Sequence, residues 1–203
     1  MSFEAWLAFC VTETLLCLTP GPAVLFVVSV ALASGFRPGL AASLGILTAN
    51  TLYFALSATG IAAVLVASSE VFTALKWAGA LYLIWMGLRM LLSRSVAVAE
   101  PTPRPAHHSF LRGCVVQGAN PKALVFFVAL LPQFIDPARP VAPQILLLGV
   151  SSVLIELVVL ALYACFAVRA RRLAGARLSG ALERIGGGFL VAAGARLALV
   201  RSE

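Results

Sequence analysis

LLCLTPGPAVLF, residues 15–26, places two prolines and a glycine in the middle of a long apolar segment. Proline has no backbone N–H, so Pro20 and Pro22 leave the carbonyl groups of Leu16 and Leu18 without helical partners. Inside a bilayer, such freed groups are tolerated only where protein or a water-filled cavity satisfies them. The stretch therefore predicts a broken membrane helix with a polar site beside the break.

The composition of the chain is typical of an integral membrane protein. Of its 203 residues, 61% are hydrophobic and 11% are charged, whereas soluble domains carry about 25% charged residues. Several apolar runs exceed the roughly 20 residues that cross the hydrocarbon core, which excludes a peripheral protein. The net charge of +7 comes from basic residues scattered through short loops. Because no basic face with interleaved aromatic residues appears, we expect the lipid bilayer and no nucleic acid as a partner.

Six apolar segments predict an all-α integral membrane fold with six transmembrane helices. A turn at Ser34–Gly39 follows the first segment, and a polar, proline-rich stretch at residues 95–112 predicts a cytoplasmic linker. The linker divides the chain into two three-helix units, residues 1–94 and 113–203. The segments run from about Trp6 to Ala33, Leu40 to Ala67, Val71 to Leu92, Gly113 to Phe134, Gln144 to Val168 and Leu182 to Val200.

Two features indicate that these units are repeats. Seven of the nineteen residues from Ala74 to Leu92 are identical to those from Ala181 to Leu199 at a constant offset of 107. Pro121 also interrupts the fourth segment as Pro20 interrupts the first, although two independent proline kinks are an alternative. Because three crossings end on the opposite side of the membrane, the second repeat must be inverted. Inverted repeats with broken helices 1 and 4 are typical of secondary transporters, whose substrate site lies near the bilayer midplane.

Basic residues predict the orientation of the chain. Eight arginines fall in the first, third and fifth connections, against two or three basic residues on the opposite side. The positive-inside rule places the arginine-rich loops in the cytoplasm and both termini outside.

Three blocks of sequence carry a resemblance to a known family: TPGPAVLFVVSVALASGFRPGLAASLGI, ALKWAGALYLIWMGLRMLLS and NPKALVFFVALLPQFIDP. In order and spacing they resemble the lysine exporter superfamily of LysE-type translocators, nearest its homoserine/threonine-resistance branch. The resemblance implies a multi-pass protein of the bacterial inner membrane that exports amino acids or related small metabolites by secondary, proton-driven antiport. It implies no enzyme activity. The family often carries an Asp near the position of Asn50. This chain has Asn there and so lacks a titratable group at that position. Glu156 is similar to an acid found in the same span of several members.

The predicted substrate site combines groups from both breaks. Free N–H groups where the helices restart, after Pro22 and Pro121, attract the carboxylate of an amino acid through the helix dipole. Carbonyl groups of Leu16, Leu18 and Gln117 are expected to face its ammonium group. The predicted substrate-binding residues are Thr19, Pro20, Gly21, Pro22, Asn50, Asn120, Pro121 and Lys122.

Three ionisable side chains within the apolar segments require partners. Lys122 lies roughly 15 Å along its span, near mid-membrane, where an ionised side chain costs about 2.5 to 3.5 kcal/mol. Glu156 is predicted at similar depth, so the two either form a structural ion pair or let substrate and protons compete for it. Glu13 shares a helix face with Pro20 and either relays protons or is hydrated at the interface. Glu156 and Glu13 are therefore the predicted proton-coupling residues.

Two other functions remain open from the residues alone. Cys17 and Cys114 lie near the two breaks, which allows an intramembrane thiol redox carrier. Glu13 and Glu156 allow an inorganic-ion transporter, although a hard-cation site needs more carboxylates. The cysteines show no metal-ligand spacing, so we expect no metal and no cofactor. A homo-oligomer is possible.

Overall fold

A computed structural model of the chain describes residues 1–58 and 105–199, with isolated helical positions between Trp77 and Leu92. Most of the predicted third span and residues 95–104 of the predicted linker lie outside the described residues. The helices are α1 (Phe3–Leu18), α2 (Pro22–Ser34), α3 (Phe36–Ala58), α4 (Ala106–Gly118), α5 (Pro121–Val125) and α6 (Val141–Leu199), with a π-helical turn (Phe126–Leu130) and a 3-10 turn (Leu131–Phe134) after α5.

The first predicted segment consists of two helices. α1 ends at Leu18, α2 begins at Pro22, and the two are bent by 51°. Pro22 occupies the first helical position, where its missing N–H is no loss because that group has no intrahelical partner. A second interruption separates α4 from α5, and Pro121 again begins the restarted helix.

The first connection is shorter than the sequence predicts. α2 ends at Ser34 and α3 already begins at Phe36, so Gly35 alone makes the turn, with a φ of 95°. Glycine adopts this left-handed conformation without a steric penalty. Pro38 falls in the first turn of α3, where proline is tolerated. The predicted turn at Ser34–Gly39 is therefore wrong in its extent.

The predicted fifth and sixth segments form one helix. α6 continues for 59 residues, from Val141 to Leu199, so the predicted break between Val168 and Leu182 is wrong. The physical reason is that residues 169–181 are rich in alanine, leucine and arginine, which are strong helix formers, and contain no proline. Within the described residues, α3 and the Val141–Arg171 part of α6 are long and apolar enough to cross a membrane, and the bent pair α1–α2 is a third candidate.

The described helices carry apolar side chains outside and polar ones inside. Exposed apolar residues recur every four positions along α6, at Leu146, Val150, Leu154, Val158, Leu162 and Phe166. Glu13, Asn50, Gln117 and Glu156 are buried. This arrangement is expected where lipid surrounds the protein, because polar groups within a membrane face the interior of the bundle. The chain is a membrane protein.

α3 and α4 approach so closely that only glycine fits at their crossing. A Cβ atom on Gly45 would lie 2.0 Å from the carbonyl oxygen of Phe110, and one on Gly113 would lie 2.2 Å from that of Ala42. Small residues at helix interfaces allow backbones to approach in this way. The contact holds Asn50 on α3 beside the end of α4.

We expect Gly113→Ala to destabilise the protein, because the added methyl group would overlap backbone that can move only if the two helices separate. Overpacking typically costs about 1 to 3 kcal/mol. Thermal unfolding in detergent should show a lower midpoint for this variant. Gly118→Ala is the matched control on the same helix, since a Cβ there meets nothing within 4 Å. Equal midpoints for the two variants would contradict the packing described.

Two apolar clusters are built from these helices. One joins α2, α3, α4 and α6 around Val27 and Ile46, and the other joins α1, α3, α6 and the turns after α5 around Phe9 and Phe126. Polar side chains collect where the clusters meet.

Candidate functional site

A cavity of about 60 Å³ lies between the two helix interruptions. It is lined by Gly21 of the first interruption, by Phe126 of one apolar cluster and by Leu160 of the other. Such a volume has room for a few water molecules. Its charged and amide side chains are Glu13, Asn50, Gln117, Asn120, Lys122 and Glu156.

The two interruptions contact each other through Lys122. A Cβ atom on Gly21 would lie 3.7 Å from Cδ of Lys122, so the lysine stem passes beside the first interruption. Its Nζ donates hydrogen bonds to the carbonyl oxygen of Leu16 and, at 3.1 Å, to that of Thr19. A cation is favourable here because the carbonyl end of α1 carries the negative end of the helix dipole.

The carbonyl groups at the interruptions have protein donors. Tyr163 donates its hydroxyl to the carbonyl oxygen of Leu18 at 2.9 Å, and Tyr53 donates to that of Gly118 at 2.8 Å. The backbone N–H of Asn120 donates to the carbonyl of Gln117 at 3.0 Å. The carbonyls that the sequence analysis directs at a substrate ammonium therefore already accept bonds from the protein, and the cation nearest α1 is Lys122.

Glu156 and Lys122 do not form the ion pair considered from the sequence. The carboxylate of Glu156 accepts a hydrogen bond from Nδ2 of Asn50, while Lys122 is directed at the end of α1. Among residues 1–58 and 105–199, the ion pair found is Arg139 with Asp136, at 3.3 Å in the loop before α6. Lys122 and Glu156 nevertheless line the same cavity.

Three amide side chains connect Glu156 to the second interruption. Nε2 of Gln117 donates to Oδ1 of Asn50 at 2.7 Å, and Nδ2 of Asn120 donates to Oε1 of Gln117 at 2.9 Å. Oδ1 of Asn120 in turn accepts from the backbone N–H of Lys122 at 3.1 Å, which makes it the N-cap of α5. With the bond from Asn50 to Glu156, these contacts form a continuous chain that we call the amide relay.

Glu13 faces the cavity from α1 and is only 6% exposed. Its Oε1 accepts a hydrogen bond from the hydroxyl of Ser152 at 2.5 Å and from Sγ of Cys17 at 3.8 Å. The side chain is therefore buried between α1 and α6 and is not exposed on the outer surface of the helices.

The structure brings most of the predicted site residues together. Gly21, Asn50, Asn120 and Lys122 line the cavity with both acids. Thr19 and Pro20 are exposed, and Thr19 contributes its carbonyl. Pro22 and Pro121 begin the restarted helices α2 and α5.

Four polar side chains of the site are not among the residues predicted from the sequence: Gln117, Ser152, Tyr53 and Tyr163. The sequence predicts a role only for the backbone carbonyl group of Gln117, yet its side-chain amide occupies the middle of the relay. The available signal was a lone amide in an apolar stretch, three residues before Asn120 and so on the same face of a helix.

The cysteines and acids show no further constellation in the described part of the chain. Cys10, Cys17, Cys114 and Cys165 are free thiols. No group of three or more His, Cys, Asp or Glu side chains is placed to hold a metal in the ranges described. The thiol-carrier and ion-transporter hypotheses therefore have no specific observation in their favour.

Comparison with known proteins identifies the family. The protein-family model described as "LysE type translocator" matches residues 14–201 of the chain. The chain is 34% identical over 204 residues to the homoserine/homoserine lactone efflux protein of Salmonella typhimurium, covering 99% of both chains. It is 34% identical over 174 residues to an uncharacterized membrane protein of Vibrio cholerae, covering 85% of both.

A more distant relative is the leucine efflux protein of Klebsiella pneumoniae, 29% identical over 134 residues, which span 64% of this chain and 63% of the relative. The comparison with solved structures found no match. The family match over most of the sequence and the full-length relative agree with the resemblance read from the three blocks. The chain belongs to the LysE-type translocator family, whose members are membrane transporters and not enzymes.

Proposed function

We propose that the chain exports amino acids or closely related small metabolites across the bacterial inner membrane, by proton antiport. The single observation that carries the proposal is the polar cavity between the two helix interruptions. Its lining combines one cation with two carboxylates and three amides, as a zwitterion requires. The relatives named as efflux proteins for homoserine, homoserine lactone and leucine support this substrate class.

The substrate carboxylate binds beside the first interruption. Ala23 and Val24 line the cavity at the start of α2, where the first N–H groups of a helix have no intrahelical acceptors. No side chain caps this end, because Gly21 is the N-cap. Together with the ammonium group of Lys122, the helix end forms a positive site suited to a carboxylate.

The substrate ammonium group binds on the opposite side of the cavity. Glu156 and Glu13 provide carboxylates, and Asn50 and Asn120 provide amide oxygens. Protons compete with the ammonium group for these carboxylates, which couples export of one to import of the other. The roles of Thr19, Pro20, Pro22 and Pro121 in this scheme are to interrupt and restart the helices.

The architecture that fits this function has two inverted repeats, residues 1–94 and 113–203, joined by a cytoplasmic linker, with α6 as the last helix of the second repeat. The interruptions at Gly21 and Asn120 then belong to helices 1 and 4. The N-terminus lies on the periplasmic side, since that orientation puts the arginine-rich first connection and the linker in the cytoplasm. The arrangement allows alternating access around a fixed site.

The experiment that tests the function is counterflow in proteoliposomes with a panel of amino acids, homoserine and homoserine lactone. We expect exchange of at least one zwitterionic substrate, and accumulation against its gradient when a pH gradient is imposed. Amino-acid flux without any response to the pH gradient would retain the substrate class and remove the antiport. No exchange with the whole panel would overturn the proposal.

A further inference from the structure

The amide relay has a fixed direction. Its first member is the backbone N–H of Lys122, which can only donate, and its last is the carboxylate of Glu156, which can only accept when ionised. Each amide between them therefore presents its NH₂ group toward Glu156 and its oxygen toward Lys122. All four hydrogen bonds satisfy this rule, and Asn50, Gln117 and Asn120 are buried.

Protonation of Glu156 removes the requirement for this direction, because the neutral acid has one oxygen that can still accept from Asn50 and one that carries a proton and can donate. A carboxylic acid that carries its proton on the oxygen facing Asn50 sets a donor against the NH₂ group of that amide. Asn50 can restore the bond only by turning its amide over, which then sets its NH₂ group against that of Gln117. The same reversal passes to Asn120, whose NH₂ group would meet the backbone N–H of Lys122. That N–H has no lone pair to accept a bond, so the reversal ends in loss of the α5 cap.

We propose that the relay transmits protonation of Glu156 to the N-cap of α5 and thereby changes the position of Lys122, with Gln117 as a positioning residue in the middle of the chain. With Glu156 ionised, the cap holds α5 and directs Lys122 to the carbonyl groups of Leu16 and Thr19. With Glu156 protonated, the reversed orientation of the relay is also allowed, and in that orientation α5 is uncapped and the ammonium group of Lys122 is released into the cavity. The inference rests on the proposed function, for which it supplies a route from proton binding to the substrate site.

Other titratable groups face the same cavity and must be separated from Glu156. Glu13 and Cys17 approach from α1, and Lys122 itself approaches from α5. The hydrogen bonds of Glu13 are with Ser152 and Cys17 and not with an amide of the relay. Removing the titration of Glu156 alone therefore distinguishes the relay from a general effect of pH on the cavity.

Hydrogen–deuterium exchange of the full-length protein in nanodiscs tests the inference without any substrate. Exchange is measured at about pH 5 and about pH 8, which bracket the titration of perturbed carboxyl groups, and is corrected for the intrinsic pH dependence of amide exchange. In the wild type we expect the peptide that contains Lys122 to lose protection roughly fivefold at the lower pH, the size expected for a lost N-cap. Peptides from the middle of α3 should not change.

Two variants locate the effect. Glu156→Gln cannot be ionised or protonated, yet its side-chain oxygen can accept from Asn50, so protection of the Lys122 peptide should be the same at both pH values. Gln117→Leu interrupts the relay and should also remove the pH response, although Glu156 is still present. Thr48→Val, on the exposed face of α3, should respond as the wild type does and controls for insertion into nanodiscs.

The inference fails if the wild type shows no pH response at α5, or if Glu156→Gln responds as strongly as the wild type. If Gln117→Leu does not fold, the comparison of wild type with Glu156→Gln still tests whether the pH response of α5 depends on Glu156. A response in Gln117→Leu equal to that of the wild type would remove Gln117 from the route. Because exchange is measured without transport, absence of flux in the counterflow panel would overturn the proposed function and leave this result standing.

Discussion

Substrate counterflow should fall by roughly 10- to 150-fold when Lys122 is replaced by methionine. Methionine keeps an unbranched, apolar stem but removes the ammonium group that the proposal assigns to the substrate carboxylate. A hydrogen bond to a charged group contributes about 1.5 to 3 kcal/mol, and each 1.4 kcal/mol is tenfold in affinity. The loss should appear mainly as a raised half-saturation concentration, measured by counterflow over a range of substrate concentrations in proteoliposomes.

The chain offers a matched control for this variant in Arg171. Its Nη1 donates to the carbonyl oxygen of Leu32 at 2.7 Å, close to the end of α2, much as Lys122 binds the end of α1. Arg171 does not line the cavity. Arg171→Met should therefore lower thermal stability by an amount similar to Lys122→Met, about 0.3 to 2 kcal/mol for a cation at a helix end, with counterflow within about threefold of the wild type.

Parallel losses of transport in the two variants would mean that Lys122 acts only by closing the end of α1. That outcome would remove it from the substrate site and leave the α2 N-terminus as the remaining anion-binding group. Loss of transport in Lys122→Met alone supports a direct contact with the substrate.

The local features of the fold were predictable from the sequence because proline acts through its own covalent structure. Pro22 and Pro121 begin restarted helices where the sequence predicts interruptions. The predicted break before Leu182 was wrong because a run of arginines indicates a membrane boundary and says little about helicity. Arginine and alanine favour the helix on either side of an interface, so α6 continues without a break.

The ionisable members of the candidate site were also predictable, since an ionised side chain within a membrane span is energetically costly and usually serves a function. Their partners were not. Opposite charge and similar depth make Glu156 and Lys122 a candidate ion pair, but Glu156 binds Asn50. That pairing depends on the close approach of α3 and α4 at Gly45 and Gly113. Such contacts join residues far apart in the chain, and neither hydrophobic periodicity nor local helix propensity predicts them.

The position of Gln117 shows the same limit. A buried amide is satisfied only by partners from other elements, and its role becomes visible once Asn50 on α3 and Asn120 before α5 are placed on either side of it. From the sequence it is a single polar residue among apolar ones. An isolated amide in an apolar stretch indicates a residue of interest, but it does not predict its hydrogen-bond partners or which of them it donates to.

Glu156→Gln should abolish accumulation driven by a pH gradient but retain counterflow, with a half-saturation concentration raised by up to roughly 10- to 150-fold because one charged contact to the substrate ammonium group is lost. Counterflow exchanges substrate for substrate and needs no net proton movement, and glutamine keeps an oxygen that can accept from Asn50. Accumulation needs a group that binds and releases a proton in each cycle. A gradient of one pH unit is about 1.36 kcal/mol per proton, so the wild type should accumulate substrate up to about tenfold per coupled proton, whereas the variant should only equilibrate it.

Two comparisons make this result specific to Glu156. Glu4→Gln removes an exposed carboxylate in the first turn of α1 and should leave both assays unchanged. Glu13→Gln removes the other carboxylate of the cavity, so the accumulation it retains measures how far Glu13 shares the coupling. If Glu156→Gln still accumulates substrate and Glu13→Gln does not, the coupling carboxylate is Glu13, and its hydrogen bond from Ser152 takes the place of the relay as the first contact to examine. If both variants accumulate substrate as the wild type does, neither buried carboxylate carries the proton and the antiport assigned to this cavity is wrong.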